Sequence, residues 1–187
     1  MADRCFVSVD VDDAPLMAAF SRAQRAIEST GADVKSVEDE NIHITLKFLG
    51  ETPESKTAQV IDLVRSISFK AFTLDFHGVG VFPGMSRPSV IWAGVSGEAS
   101  EMLAVFTELE KGLRGLGFEP ERRPFQPHVT LCRVRSGRNR AQLAEVIEMM
   151  KDEVFGPLRV EHIRFKKSIL TRRGPIYTTL AESRVLE

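Results

Sequence analysis

The chain has 187 residues, of which 43% are hydrophobic and 27% charged, and its formal net charge is −1. A chain of this length can bury a core without disulfides or a structural metal, as one domain or as two small lobes that share a core. Because the net charge is close to zero, the protein lacks the extended positive potential that attracts long nucleic acids. We therefore expect a local pocket that binds a few phosphates.

Cysteine usage and hydropathy predict a cytoplasmic protein. The two cysteines, Cys5 and Cys132, form no closely spaced pair and are typical of small buried hydrophobes. The N-terminus reaches acidic residues too early for a signal peptide, and no run of about 18 apolar residues occurs that could cross a membrane.

The first half of the chain predicts two strand–helix pairs. Residues 5–11 alternate apolar and polar side chains as a strand does, and Pro15 begins a helix that ends at Gly31. Residues 41–49 form the second predicted strand, and Pro53 opens the second helix.

The second half predicts more strands than helices. Two helices are expected, near residues 98–116 and 143–150. The predicted strands are 72–82, 89–95, 128–134, 158–171 and 176–181, the last two joined by a turn at Arg173, Gly174 and Pro175. Several neighbouring strands are joined by short turns and can only pair antiparallel, so the predicted fold class is α+β.

One tetrapeptide pattern, H-x-T-L, occurs twice. His43-Ile44-Thr45-Leu46 returns 85 positions later as His128-Val129-Thr130-Leu131, each time in a short apolar strand bounded by turn residues. One such match is weak, whereas the pair is a strong signal. Because side chains alternate along a strand, each copy presents an imidazole and a hydroxyl about 7 Å apart on one face. If a pseudo-two-fold relates the copies, both faces meet in one cleft.

Such a cleft suits a phosphate. The hydroxyls of Thr45 and Thr130 can donate to non-bridging oxygens and hold the anion without a metal. His43 and His128 can serve as general acid and general base near neutral pH, because the unperturbed pKa of histidine is about 6.5. In-line displacement places the attacking water and the leaving oxygen on opposite sides of phosphorus, which requires two separated imidazoles. The motifs present the same groups, so they do not decide which histidine is the acid.

Four segments make the chain resemble a known family. They are HITLKFLGE (43–51), RPSVIWAG (87–94), PHVTLCR (127–133) and an S-x-L-x(3)-GPIY pattern (168–177). Together they resemble the 2H phosphoesterases, specifically the LigT-like RNA 2′,3′-cyclic phosphodiesterases, also called 2′-5′ RNA ligases. The segments extend over nearly the whole chain, so the resemblance covers a full-length domain.

The resemblance implies a fold, an activity and residue roles. The implied fold is one domain over residues 1–187 with two intertwined lobes, two antiparallel sheets related by a pseudo-two-fold, outer helices and a cleft between the lobes. The implied activity is hydrolysis of an RNA-terminal 2′,3′-cyclic phosphate to a 2′-phosphomonoester without a cofactor, with 2′-5′ ligation as a side activity. His43 is implied as the proton donor and His128 as the acceptor. We expect RNA ends or nucleotides as partners, and a monomer.

Arg133 and Phe48 occupy equivalent positions after the two motifs. Arg133 matches the arginine of the family at this place, and a guanidinium suits the charge of a phosphorane. Strict strand alternation, however, places Arg133 on the face opposite His128. The same alternation predicts that Phe48 packs in the core rather than stacks on a base.

A metal site is an alternative use of the histidines. The spacings typical of zinc ligands are missing, but strand alternation puts Cys132 on the face of His128, which leaves a metal open. No glycine-rich nucleotide loop occurs in the chain, so we expect neither ATP nor NAD as a cofactor. Our expectation is a site with neither metal nor cofactor.

A basic tract and two rival functions complete the predictions. Arg135, Arg138 and Arg140 follow the second motif and suggest a track that guides an RNA backbone into the cleft. The rivals are a non-catalytic module that binds RNA ends, and a phosphodiesterase for small cyclic nucleotides or 2′-5′ oligonucleotides. Binding that does not depend on the histidines, without turnover, would identify the module. The sequence does not separate the substrates.

Overall fold

The computed structural model describes residues 2–96, 99–172 and 174–186. Four helices lie in these ranges: α1 (Ala14–Ser29), α2 (Glu54–Ser66), α3 (Ser100–Gly115) and α4 (Arg140–Met149). The strands are β1 (Ala2–Asp10), β2 (Val34–Ser36), β3 (His43–Pro53), β4 (Ser68–Lys70), β5 (Phe72–Phe82), β6 (Val90–Ser96), β7 (His128–Val134), β8 (Val154–Val160), β9 (Arg164–Leu170), β10 (Pro175–Glu182) and β11 (Arg184–Leu186). No helix in the described ranges combines the length and the hydropathy needed to cross a membrane.

The large sheet has nine strands in the order β10-β9-β1-β3-β7-β6-β5-β8, with β2 beside β7, while β4 and β11 form a separate parallel pair. Its two halves meet between β3 and β7 at a single antiparallel residue pair, Ile44 with Val129. These residues are the second positions of the two H-x-T-L motifs. An antiparallel pair centred on them relates the motifs by a local two-fold. The two expected sheets are therefore two halves of one sheet.

Each half of the sheet is covered by helices from both halves of the chain. Helix α1 follows β1 but packs on β7 and β8, beside α4. Helix α3 follows β6 but packs against α2, which covers β3, β9 and β10. Gly112 of α3 lies so close to Leu63 of α2 that a Cβ would come within 2.3 Å of the leucine Cδ1. The crossing of α1 and α3 links the two halves through one hydrophobic core.

The predicted α+β class with antiparallel strands and outer helices is confirmed. The strands predicted at 72–82 and 128–134 coincide with β5 and β7. The single strand predicted at 158–171 is wrong, because the chain crosses there from β8 in one half of the sheet to β9 in the other. The predicted turn residue Arg173 and the predicted helix start at residue 98 lie outside the described residues.

Candidate active site

A β-bulge follows the threonine in both motif strands. Along β1 and β3 the register steps from Ser8–Thr45 to Val7–Lys47, which leaves Leu46 without a partner. Along β6 and β7 it steps from Trp92–Thr130 to Ile91–Cys132, which leaves Leu131 without one. An extra residue in one strand reverses the alternation of all side chains beyond it. The same backbone irregularity therefore occurs at the same motif position in both halves.

The bulges correct three predictions made from strict alternation. Arg133 lies on the face of His128 and lines the cleft, not the opposite face. Phe48 does not pack in the core, because it lies on the face of His43 with 71% of its surface exposed. Cys132 is turned away from His128 and buried in the core, where burial raises the pKa of its thiol to about 11. Since this thiol faces the core, it gives the metal alternative no ligand beside His128.

All five candidate site residues line one cleft between the two halves of the sheet. They are His43, Thr45, His128, Thr130 and Arg133, in a cleft of about 1340 Å³. The antiparallel pair of Ile44 with Val129 places the histidine of each motif beside the threonine of the other. The two imidazoles thus lie diagonally across the pair, at opposite flanks of the space between the hydroxyls.

Both imidazoles are oriented by the same hydrogen bond. Nδ1 of His43 lies 2.7 Å from the carbonyl oxygen of Asn41, and Nδ1 of His128 lies 2.7 Å from that of Gln126. A carbonyl only accepts, so each Nδ1 carries the proton and donates. Nε2 of each ring is left to accept a proton, or to donate one after the ring is protonated. This arrangement provides two interchangeable acid–base groups.

Aromatic rings pack against the two imidazoles, and the sequence alone assigned them no role at the site. The ring of His43 lies 5.1 Å from Phe6 and 5.4 Å from Tyr177. The ring of His128 lies 5.0 Å from Phe82 and 6.1 Å from Trp92. Phe82 comes from β5, Trp92 from β6 and Tyr177 from β10, so no local spacing in the sequence connects them with the histidines. These rings pack beside the imidazoles, and the hydrogen bonds at Nδ1 orient them.

Charged side chains lie around His43. Asp10 pairs with His43 across β1 and β3, and its carboxylate accepts hydrogen bonds from Arg164 and Lys166. Burial lowers the pKa of His43 below its usual value of 6.5; the bond to the Asn41 carbonyl and the charge of Asp10 act against this, and Lys166 and Arg133 add to it. The neutral form of His43 is therefore favoured at pH 7.

The chain is similar to several known proteins. A family model described as LigT like Phosphoesterase matches residues 10–92 and again residues 94–177, so each match contains one H-x-T-L motif. A protein from Aeropyrum pernix named RNA 2′,3′-cyclic phosphodiesterase is 44% identical over 163 residues, 87% of this chain and 93% of the relative. A protein of the same name from Archaeoglobus fulgidus is 37% identical over 183 residues, 95% of this chain and 97% of the relative. A crystal structure of a Thermus thermophilus protein is 28% identical, covers 96% of both chains and superimposes with a TM-score of 0.75.

Proposed function

The chain belongs to the LigT-like phosphoesterase family, and we propose that it hydrolyses the 2′,3′-cyclic phosphate at an RNA end with His43 and His128 as its acid–base pair. The observation that carries this proposal is the pair of imidazoles in one cleft, each held by a carbonyl so that Nε2 remains for proton transfer. The two relatives above carry the name of this activity.

His128 acts as the base and His43 as the acid. Nε2 of His128 takes a proton from water while the water oxygen forms a bond to phosphorus. The bond from phosphorus to the 3′-oxygen breaks, and protonated Nε2 of His43 donates to that oxygen. The products are a 3′-hydroxyl and a 2′-phosphate. The same displacement with a ribose 5′-hydroxyl in place of water forms a bond from that oxygen to phosphorus while the bond to the 3′-oxygen breaks, which accounts for 2′-5′ ligation as a side activity.

His43 must be protonated to act as the acid, although burial lowers its pKa. A phosphate that enters the cleft brings negative charge close to Nε2 and removes water. The charge raises the pKa of His43, since an anion favours the imidazolium form. His43 therefore takes up its proton with the substrate.

Three further side chains bind the phosphate and one binds the base. The hydroxyls of Thr45 and Thr130 donate to non-bridging oxygens, and the guanidinium of Arg133 stabilises the charge that develops on them. Phe48 offers an exposed ring for the terminal base. These groups supply acid, base and charge stabilisation, so the proposal includes no metal or cofactor. It assigns the reaction to a monomer in the cytoplasm.

The decisive experiment removes one imidazole at a time. We expect His43→Ala and His128→Ala each to lose at least about a hundredfold in kcat on an RNA that ends in a 2′,3′-cyclic phosphate, because general acid–base catalysis has this magnitude. His162→Ala is the matched control, since that ring binds the Ser183 carbonyl and does not line the cleft. Circular dichroism checks that all three variants fold.

Near-wild-type turnover by either cleft variant contradicts the assigned roles. Histidine-independent binding of RNA ends without any turnover identifies a binding module instead. Activity that EDTA abolishes and zinc restores identifies a metal mechanism. Chromatography of the product separates a 2′-phosphate from a 3′-phosphate and tests which bond breaks.

A further inference from the structure

A second cavity adjoins the cleft at the far end of β7. It has a volume of about 570 Å³, and Pro83 and Ser89 line both it and the cleft. Arg87, Arg135 and Arg140 contribute to its wall, and none of the described residues that line it is acidic. The cavity thus concentrates positive charge in a protein whose net charge is −1.

The walls of this cavity are fixed by hydrogen bonds between three chain segments. The β5–β6 connection is closed by the bond from Ser89 N to the Phe82 carbonyl at 2.8 Å, and it is tied to β7 by the bond from Val134 N to the Ser89 carbonyl at 3.0 Å. Arg140 Nη1 donates to the Ser86 carbonyl at 2.6 Å, which joins α4 to the same connection. The arginines therefore extend from a defined cavity and not from a loose loop.

The amino end of α4 adds to this positive charge. Arg140 and Leu143 of the helix line the cavity. The preceding residue, Asn139, does not cap the helix with its side chain, because its Nδ2 donates to the Thr30 carbonyl. The first turn also lacks an acidic residue. The positive end of the helix dipole and the arginines together suit a phosphate.

Among the residues that the structure describes, the arginines of the cavity have no carboxylate partner. Arg159 and Arg164 elsewhere in the sheet are paired with carboxylates. By contrast, no ion pair joins Arg87, Arg135 or Arg140 to a carboxylate within residues 2–96, 99–172 and 174–186. Their charges are therefore available for an anionic ligand.

We infer that this cavity binds a phosphodiester of the RNA strand upstream of the cyclic phosphate, which makes an RNA chain, and not a mononucleotide, the preferred substrate. The inference rests on the proposed function. Strand β7 spans about 20 Å from His128 to Val134, which is more than a mononucleotide covers. Arg133 lies between the two sites on the same strand and face. An RNA strand that ends at the histidines can follow β7 past Arg133 into the cavity.

Arg138 is not part of this cavity. The sequence grouped Arg135, Arg138 and Arg140 as one basic track, but only Arg135 and Arg140 line the cavity. Arg87 joins them from the β5–β6 connection, about fifty positions earlier in the chain. The binding site thus combines arginines that are distant in sequence.

A length series tests the inference with the intact protein. The substrates are a 2′,3′-cyclic mononucleotide and oligoribonucleotides of two to eight nucleotides that end in a 2′,3′-cyclic phosphate. We expect kcat/KM to rise at least about tenfold with length and to level off once the strand reaches the cavity. The increase in kcat/KM should come from a lower KM, because the cavity is remote from the reacting phosphorus.

Variants identify the residues responsible. Arg87→Gln/Arg135→Gln should remove most of the gain with length and leave hydrolysis of the mononucleotide within about twofold of wild type. This pair leaves the Arg140–Ser86 bond intact. Its control is Arg65→Gln/Arg114→Gln, two exposed arginines on α2 and α3 with the same change in net charge. Binding of the 2′-phosphate product RNA should become less dependent on salt by a slope of about 0.7 per lost phosphate contact, in the cavity variant only.

The outcomes separate the two proposals. If wild type hydrolyses both short and long substrates with the same kcat/KM, the cavity inference is wrong and the proposed function stands. If the control pair weakens the long substrates as much as the cavity pair does, the inference is also wrong, since general charge then explains the effect. If wild type hydrolyses neither substrate, the proposed function fails and the inference with it.

Discussion

The two halves of the sheet have the same backbone arrangement at the motifs and differ in the side chains that follow it. Both motif strands place a histidine, a threonine and a bulged leucine in the same order, and both hold the imidazole through the carbonyl two positions earlier. Beyond the bulge they diverge, because Phe48 enters the cleft in one half and Arg133 in the other. The shared arrangement supplies two equivalent proton-transfer groups, while the side chains beyond it make the cleft directional. An apolar ring at one end suits a base, and a guanidinium at the other suits a phosphate.

The core-facing position after each bulge differs as well. Lys47 occupies it in the first half and Cys132 in the second, and both are buried. Nζ of Lys47 donates to the Glu119 carbonyl at 2.9 Å and lies 2.8 Å from Glu110 Oε1. Oε1 accepts no hydrogen bond among the described residues, so this contact is an ion pair without hydrogen-bond geometry. The first half thus contains a buried ion pair where the second contains a neutral thiol.

The largest effect that we expect comes from this buried position. Lys47→Ala leaves the Glu110 carboxylate buried without its cation and should cost about 3 kcal/mol of unfolding free energy. Cys132→Ala removes only a small buried group and should cost about 1 kcal/mol. Urea unfolding followed by circular dichroism measures both. Equal losses would mean that the ion pair contributes nothing specific, and the double variant Lys47→Met/Glu110→Leu should recover most of the stability.

The next largest effect concerns the arginine at one end of the cleft and should appear in kcat. Arg133→Gln should lower kcat by roughly ten- to a hundredfold, because a charged donor to the developing phosphorane is lost. Arg133→Lys keeps the charge but not the planar fork and should recover part of the activity. Steady-state kinetics with a cyclic mononucleotide measures this without a contribution from the second cavity. An unchanged kcat would remove Arg133 from the phosphate site.

The corresponding change at the apolar end should act on binding. Phe48→Ala should raise KM by about tenfold with little change in kcat, since stacking of a base on an aromatic ring contributes about 1–3 kcal/mol. Phe48→Tyr retains the ring and serves as the control. The same kinetic assay applies. A loss confined to kcat would show that Phe48 positions the reacting groups instead of the base.

The smallest effect concerns the charge of His43. In the free protein its NMR titration midpoint should lie below 6.5, mainly because of burial. Asp10→Asn should lower the midpoint further, because the negative charge of Asp10 favours the imidazolium form. Arg133→Gln should shift it upward for the opposite reason. Binding of a 2′-nucleotide product should raise the titration midpoint of His43 in wild type. A midpoint that does not change when the product binds would contradict substrate-linked protonation.

The lowered pKa of His43 also predicts how stability changes with pH. The unfolded chain takes up this proton near pH 6.5, before the folded protein does. The contribution of His43 to the free energy of unfolding is therefore complete above about pH 6.5 and decreases as the pH falls from there. It is fully lost below the pKa that His43 has in the folded protein. His43→Ala should show a weaker loss of stability over this acid range in urea unfolding. An identical pH profile would contradict the burial effect.

Particular elements show where sequence reasoning was sufficient. The β-rich composition of residues 72–82 and the short apolar stretch 128–134, each next to turn residues, predicted β5 and β7 with their observed bounds. Asp13 and Pro15 predicted the start of α1, and the Asp13 carboxylate indeed accepts from Leu16 N at 2.9 Å. The short strands β2, β4 and β11 were missed, since three residues carry too little pattern to be recognised.

The positions of Phe48, Cys132 and Arg133 were wrongly predicted for one physical reason. A bulge depends on how two strands pair, and the pairing of β3 with β1, or of β7 with β6, is not encoded within either strand. Strict alternation was therefore correct up to the threonine of each motif and wrong beyond the leucine. The order of residues alone does not mark where the register steps.

The sequence by itself determined the repeat, the fold class and the residue types that could handle a phosphate, because these depend on local composition and period. Only the tertiary structure decided that the two motifs share one cleft, which side chains beyond the bulges enter it, and that Arg87 joins Arg135 and Arg140 around a second cavity. Those features depend on strand pairing and on contacts between segments far apart in the chain, which a linear pattern does not contain.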